Sequence, residues 1–450
     1  MRSLAWIAAF SACIAISWQI TETAARSSED QAALASLYTA FRDRADAGVK
    51  AERHDRALKI IHKAIYRIAS SFIKPLEVME LANFATTALR RLPPDTLPED
   101  LARAAVNTLI RRLGDPYATY EAKNMRRQGK RIGRIGIEAA MIEGKLTVIS
   151  PLDGSPAQKA GIAPGDIITA IDKEPTSGKT LIEAMRRLRG PIGTDVFLRI
   201  QRRINAQKLG LPVPRVNFRV RSLHHLTFDD IAYLRIAYFG PDTEIRLRKS
   251  LALIQNKIGL GALRGYVVDL RNNPGGLVGQ AVLIADAFME KGMIIATVGR
   301  EPKGARRYNA HRGDFAKGLP LVVLQNQASA SAAEILSAAL KDNGRAIIMG
   351  TRSYGKGLVQ TAYPLGGVGR IKFTTHKYIM PSGLQIHGAG VLPDIVVNGE
   401  PRLTSGSAAI PIDRCPAADK KRDRILGCAL LYLSQGQRLD TLLQGPPHNR

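Results

Sequence analysis

The chain has 450 residues, which is too long for one compact core and predicts roughly two to four domains. Its 45% hydrophobic and 23% charged residues exclude a disordered or collagen-like protein. The formal net charge of +26 favours anionic partners, but the basic residues are scattered and no nucleic-acid-binding motif accompanies them. We therefore expect a basic surface without specific nucleic-acid binding.

Residues 1–25 have the composition of a secretory signal. Arg2 precedes an apolar run over residues 4–17, and the small residues Thr23 and Ala25 follow it at the expected cleavage region. The run is shorter than the ~20 residues that a membrane-spanning helix needs, which favours cleavage over a membrane anchor. We therefore expect an exported protein, located in the periplasm.

Residues 26–120 are predicted to form a helical N-terminal region. Apolar residues recur there at the three- and four-residue spacing of an amphipathic helix: Leu58, Ile61, Ala64, Ile65 and Ile68. Pro93 and Pro94 interrupt the next helix, and Gly114 and Pro116 lie where the last helix should stop.

Residues 131–203 have the pattern of a small β-rich module. Gly, Pro and Asp separate short runs of β-forming residues, which cover residues 135–141, 146–149, 166–171 and 196–200. Ser155 and Pro156 are a suitable N-cap and first residue for a short helix, and residues 180–189 predict a longer one. The Pro- and Lys-containing residues 205–214 are predicted to be a connector.

Strands and helices alternate through residues 215–400, which predicts a layered α/β core built from βαβ units. The predicted helices cover residues 243–258, 277–289 and 330–342, and the chain becomes β-rich again after Lys372. Residues 401–450 form a C-terminal segment with a short helix near residues 425–433. Cys415 and Cys428 in this segment are candidates for a disulfide, and two buried free thiols are the alternative.

Two residues in the layered core suggest chemistry. Ser331 lies among small residues at the start of a predicted helix, where backbone N–H groups favour negative charge. Lys356 lies between two glycines, so it can approach another backbone segment, and burial would lower its pKa and let it accept a proton from serine. A Ser–Lys pair is a known variant of the Ser–His–Asp arrangement. Taken separately, both features are more often structural.

The surrounding sequence resembles the active-site stretch of the C-terminal processing (tail-specific) peptidases. The matching motifs are Ser329-Ala330-Ser331-Ala332-Ala333-Glu334, in which Ala333 replaces a frequent serine, and Tyr354-Gly355-Lys356-Gly357 followed by Gln360. The resemblance implies that Ser331 is the nucleophile, Lys356 the general base and Gln360 the residue that orients the lysine. It places Asp342 at the position of a supporting carboxylate, although an acidic residue at a helix end is equally often structural.

Further motifs extend the resemblance. Residues 268–276, with Asn272, Asn273 and Pro274 before two glycines, match the strand-to-helix turn of the family. This match implies an oxyanion hole formed by the amides of Gly276 and Ala332, with Gly275 as the alternative to Gly276. Residues 114–117 and 372–397 also follow the family pattern, so the resemblance covers most of residues 100–400.

The β-rich module resembles a bacterial PDZ domain. Arg134-Ile135-Gly136-Ile137 matches its carboxylate-binding loop, where the family often has Gly in place of Arg134, and the following strand could accept a peptide strand. Leu181 and Met185 would line the side-chain groove, with plain core packing as the alternative. The substrates implied are the C-terminal tails of exported proteins.

The expected fold is therefore α+β and multidomain: a helical N-terminal region, a PDZ-like β module and a ClpP/crotonase-like layered α/β peptidase core. The expected function is serine endopeptidase activity near protein C-termini, with no cofactor and no metal, because the adjacent His224 and His225 lack further ligands. A non-catalytic PDZ scaffold and an acyl-CoA enzyme are the alternatives. The sequence leaves open whether an adaptor protein or a homo-oligomer is involved.

Overall fold

The computed structural model describes residues 28–122, 132–202, 206–217, 221–300, 305–366, 369–397, 408–418 and 423–437. The predicted signal at residues 1–25 lies outside these ranges. The chain divides into a unit that ends at Arg112 and a larger unit made of Ser71–Pro75 and the residues from Leu113 onward. Within the described ranges, no helix is both long and apolar enough to cross a membrane.

The first unit is helical, with the amphipathic pattern that the sequence predicts. Its helices are α1 (Ser28–Arg42), α2 (Ala51–Ser71), α3 (Val78–Arg90) and α4 (Pro98–Arg112). All five apolar residues that define the predicted stripe on α2 are buried. Helix α4 begins with Pro98 and two acidic residues and ends with two arginines, which matches the helix dipole at both ends.

The second unit begins with strand β1 (Thr119–Ala122) and continues into the β-rich module. A short ribbon pairs β2 (Ile132–Gly133) with β7 (Gly190–Pro191). The main sheet has the order β3-β4-β5-β8-β9, and β6 (Glu174–Pro175) pairs with β5. Its strands are β3 (Ile137–Ile142), β4 (Lys145–Pro151), β5 (Ile167–Ile171), β8 (Asp195–Gln201) and β9 (Lys208–Pro214). Helices α5 (Pro156–Lys159) and α6 (Leu181–Arg187) complete the module.

Strand β9 corrects the prediction of a connector at residues 205–214. It pairs antiparallel with β8 along its whole length and forms an edge of the sheet. Val213 is buried and Leu209 and Leu211 pack against the module core, while Pro212 and Pro214 are exposed. Proline is tolerated on an edge strand because its missing N–H faces away from the ladder. The two prolines thus obscured a genuine alternating pattern.

The layered core contains a seven-stranded sheet with the order β10-β11-β12-β15-β16-β19-β20. Its strands are β10 (Leu223–Phe228), β11 (Ile231–Ile236), β12 (Gly265–Asp269), β15 (Leu321–Gln325), β16 (Ile347–Gly350), β19 (Ile395–Val397) and β20 (Ala408–Ile410). Strand β10 is antiparallel to β11, and the other pairs are parallel. Helices α7 (Thr243–Ile258), α8 (Val278–Asp286) and α9 (Ala332–Asp342) connect these strands.

A second, antiparallel sheet has the order β1-β18-β13-β14, and β17 also pairs with β18. Its other strands are β13 (Met293–Val298), β14 (Arg306–Asn309), β17 (Leu358–Pro364) and β18 (Gly369–Ile379). The main hydrophobic core lies between the two sheets around α7, α8 and α9.

The last described helix, α10 (Arg424–Ser434), covers the other face of the seven-stranded sheet. Both faces of β12 are therefore buried, with Tyr266 and Val268 in the main core and Val267 under α10. A disulfide between Cys415 and Cys428 ties α10 to the segment that precedes it. Of the two alternatives for these cysteines, the structure has the disulfide.

Candidate active site

Ser331 lies at a sharp turn between β15 and α9. Its φ of 56° and ψ of −114° lie in a region that non-glycine residues rarely adopt, at a cost of about 1–3 kcal/mol. The preceding residue is fixed by a hydrogen bond from Ala330 N to Asn273 O (2.9 Å). Ser331 N donates to Glu334 Oε2 (2.8 Å). The fold thus holds a strained serine at the N-terminus of a helix.

Glu334 connects the serine turn to the lysine loop. Its buried carboxylate accepts hydrogen bonds from Ser331 N and Lys356 N at one oxygen (both 2.8 Å), and from Ser353 Oγ (2.5 Å) and Gly355 N (2.6 Å) at the other. Burial raises the pKa of Glu334, and the four donors oppose that effect. Glu334 belongs to the matched sequence motif, but the sequence analysis predicts no role for it. Its position three residues after an N-cap serine is the signal that could have identified it.

Lys356 is 7% exposed, and the two glycines beside it pack closely against the backbone of residues 387–390. A side chain on Gly357 would meet His387 N at 2.3 Å, which explains the need for glycine there. Lys356 Nζ lies 3.4 Å from Glu138 Oε1, on strand β3, and 4.7 Å from the centroid of the Tyr117 ring. Among the described residues it makes no hydrogen bond to Ser331 Oγ. The amine is therefore held by the β module in this structure.

The amides assigned to the oxyanion hole have no acceptor among the described residues: Gly276 N and Ala332 N. By contrast, Gly275 N already donates to Asn273 Oδ1 (2.8 Å), which favours Gly276 over Gly275. A Cβ on Gly275 would lie 2.8 Å from Ser331 Cβ, so the glycine turn packs directly against the serine.

Two networks hold this glycine turn in place. Asn326 accepts from Asn272 N and donates to Asn272 Oδ1, both at 2.9 Å. Before the turn, Arg271 bonds to Asp269 Oδ2 (2.6 Å) and to Asp423 Oδ2 (2.7 Å), the N-cap residue of α10. Burial alone would raise the pKa of Asp269, but Arg271 and Arg235 outweigh it and lower the pKa to about 2.

The other two residues predicted for catalysis make different contacts. Gln360 Nε2 donates to Leu358 O (3.1 Å), and no hydrogen bond joins it to Lys356 within the described structure. Asp342 ends α9, where its Oδ2 accepts from Ser382 N (3.0 Å). Because α9 has 11 residues, Asp342 lies about 16 Å along the helix axis from Ser331. The carboxylate that contacts both the serine turn and the lysine loop is that of Glu334.

The predicted peptide-binding residues lie along the β3 edge of the β module, where Met141 N near the end of β3 already donates to Pro116 O (3.1 Å). Strand β3 is at that edge, and the amides of Ile135 and Gly136 just before it have no acceptor among the described residues. Arg134 N instead donates to Val216 O (3.0 Å), so its amide is already engaged. The side chains of Ile135 and Ile137 are buried in the module core. Leu181 and Met185 are partly buried against that core, an arrangement compatible with a groove wall and with packing.

Comparisons with known proteins cover both parts of this site. A family model for peptidase family S41 matches residues 230–397, and a PDZ domain model matches residues 147–202. A carboxy-terminal-processing protease of Bartonella bacilliformis is 43% identical over 309 residues, which span 67% of this chain and 71% of that protein. A probable CtpA-like serine protease of Staphylococcus aureus is 33% identical over 308 residues, which span 67% of this chain and only 60% of that protein.

The fold is also similar to that of a solved structure. The photosystem II D1 C-terminal processing protease matches with a TM-score of 0.67 and 24% identity, covering 83% of this chain and 96% of that one. The predicted fold class is thereby confirmed.

Proposed function

Because this chain belongs to the carboxy-terminal-processing serine proteases of peptidase family S41, we propose that it cuts exported proteins near their C-termini with Ser331 and Lys356. Family membership favours this function over a PDZ scaffold and over an acyl-CoA enzyme. The observation that carries the residue assignment is the single buried carboxylate of Glu334, which holds the backbones of Ser331 and Lys356 together.

The proposed reaction proceeds through an acyl-enzyme. Unprotonated Lys356 Nζ removes the proton from Ser331 Oγ, which attacks the scissile carbonyl. Gly276 N and Ala332 N donate to the resulting oxyanion. The lysine then returns the proton to the leaving amine, and water releases the acyl group by the same steps. Before these reaction steps can begin, Lys356 Nζ must leave Glu138 and turn towards Ser331.

Glu138 should therefore restrain the base. The contact between Lys356 Nζ and Glu138 Oε1 holds the amine at β3, and it must break before the lysine can reach Ser331 Oγ. We expect Glu138→Gln, which replaces the ion pair by a weaker neutral contact, to raise kcat/KM. Because Glu138 is half-exposed, the effect should reach only about fivefold. Steady-state rates test this, with the exposed Glu143→Gln as the matched control; a slower Glu138→Gln enzyme would contradict it.

We also propose that the β module selects substrates by their tails. The amides of Ile135 and Gly136 would hold a terminal carboxylate while the peptide pairs with β3 and its last side chain lies beside Leu181 and Met185. Amidating the terminus removes the charge, so we expect binding to weaken by about 1.5–3 kcal/mol, or roughly ten- to hundredfold.

Paired acid and amide peptides, identical in sequence and ending in an apolar residue, provide the measurement. Their affinity is measured on the full chain carrying Ser331→Ala, and their cleavage products are identified by mass on the unsubstituted enzyme. Equal affinity for both peptides would remove the tail-reading role but not the peptidase assignment. Binding without cleavage would instead support the scaffold.

Export to the periplasm is part of this proposal. It is supported by the signal-like composition of residues 1–25 and by the Cys415–Cys428 disulfide, a bond that persists in oxidising compartments. N-terminal sequencing of the protein from the periplasmic fraction tests it, since the mature chain should begin shortly after Ala25.

A further inference from the structure

A cavity of about 760 Å³ lies at the β10 edge of the seven-stranded sheet, on the far side of β11 from the serine turn. Four cationic side chains line it: Arg221, Arg235, Arg246 and Lys249. Arg235 pairs with Asp153 and Asp269, and Arg246 pairs with Asp242, whereas within the described ranges Arg221 and Lys249 form no ion pair. The cavity wall is therefore positively charged.

Strand β10 lines this cavity, and residues from both of its faces contribute to the lining. His225 faces α7, where Nδ1 bonds to Ser250 Oγ (2.9 Å) beside Lys249. His224 faces the other side and lies opposite Arg235 of β11. Cationic side chains consequently flank the edge of β10 on both faces of the sheet.

The edge of β10 also lacks the features that usually block pairing. Other edge strands carry them: β9 has Lys208, Pro212 and Pro214, and β14 has two arginines. Strand β10 is six residues long, contains no Lys, Arg or Pro, and exposes Leu226 at 57%. Among the described residues no strand pairs with its outer edge. A six-residue edge without Lys, Arg or Pro, between cationic walls, suits an added strand of opposite charge.

We propose that β10 binds an extended acidic segment of a partner protein as an additional strand. Successive side chains of such a strand point to opposite faces, so acidic residues on one face would meet Arg246 and Lys249. Those on the other face would meet Arg221 and Arg235. The backbone groups of β10 supply affinity, and the cationic walls select the charge. This site is separate from the proposed tail groove at β3 and would hold an acidic segment at a distance from the cleaved bond.

The test uses the full chain with Ser331→Ala and a labelled peptide that repeats Glu-Glu-Thr-Thr, longer than β10 and amidated at its C-terminus. This repeat places carboxylates on both faces of an extended strand. The amide keeps the peptide from depending on the tail groove, so failure here is distinguishable from failure of the proposed function. We expect the acidic peptide to bind and its Lys-Lys-Thr-Thr counterpart not to bind. Arg246→Glu with Lys249→Glu should weaken binding at least about tenfold.

The matched control is Lys59→Glu with Lys63→Glu, which makes the same charge change on exposed residues of α2 and should leave the affinity within about twofold. Arg246→Gln with Lys249→Gln, which adds no negative charge, should give an intermediate loss even if the reversed pair folds poorly. Equal losses in the control and in the cavity variants would reduce the effect to net charge and overturn the proposal.

Hydrogen exchange distinguishes strand addition from attraction to charge alone. We expect the acidic peptide to slow exchange of the β10 amides, residues 223–228. Binding without such protection would contradict the added strand. Displacement of the peptide by polyphosphate, together with unchanged exchange in β10, would assign the cationic walls to a free polyanion instead.

Discussion

Ser331→Ala and Lys356→Ala are each expected to lower kcat/KM by about 10⁴- to 10⁶-fold, and the double variant should be no slower than either single one. The nucleophile and its base act as one unit, so their losses do not add. Lys356→Arg should fail equally, because a guanidinium keeps its proton at every accessible pH. The measurement is the initial rate of tail cleavage, with folding checked by thermal unfolding.

Ser382→Ala is a suitable control because Ser382 is exposed and lies near the far end of α9. Ser329 is unsuitable, although it is the nearer serine in the motif. It is buried, and its Oγ donates to Leu270 O (2.8 Å) and accepts from Asn326 N (2.9 Å). Activity that survives in Ser331→Ala would show that another residue is the nucleophile.

Glu334→Ala should cause the largest loss outside the Ser–Lys pair. It leaves four buried donors without an acceptor, and each unsatisfied group costs about 1–3 kcal/mol, so the free energy of unfolding should fall by at least about 3 kcal/mol. Because the serine and lysine backbones would no longer be tied together, kcat should fall at least about a hundredfold.

Glu334→Gln separates positioning from folding. The amide preserves the shape and one acceptor oxygen but turns an NH2 group towards two donors. We expect it to fold more stably than Glu334→Ala while kcat remains strongly reduced and KM changes little. Denaturant unfolding and steady-state kinetics of the two variants provide the comparison. If Glu334→Gln had the same kcat as the unsubstituted enzyme, Glu334 would have only a structural role.

The fold was predictable where one face of an element is apolar. Helix α7 begins and ends at the predicted residues 243 and 258, because its buried leucines and isoleucine follow the helical period. The two histidines of β10 interrupt its apolar alternation, so its sequence predicts either a strand or a turn, and the prolines of β9 predicted a connector. In both edge strands, residues that are uncommon in central strands hid the pattern on which sequence prediction depends.

The family motif identifies Ser331, Lys356 and the glycine turn, which the structure brings close together, and their catalytic roles stay a prediction. The contacts between distant segments were not predictable. Glu138 and Lys356 are 218 residues apart in the chain, and Arg271 and Asp423 are 152 apart. A single sequence shows that such charges exist but does not show which of them pair. Asp342 illustrates the limit, because its position in the motif suggested a supporting role and its observed contact is at the opposite end of α9.

The link from Arg271 to Asp423 has a consequence for the order in which the site is completed. Asp423 lies 92 residues after the serine in the chain. A chain that emerges N-terminus first therefore contains its serine before it contains the carboxylate that pairs with Arg271. During that interval the glycine turn lacks this ion pair, although its contacts with Asn326 can already form.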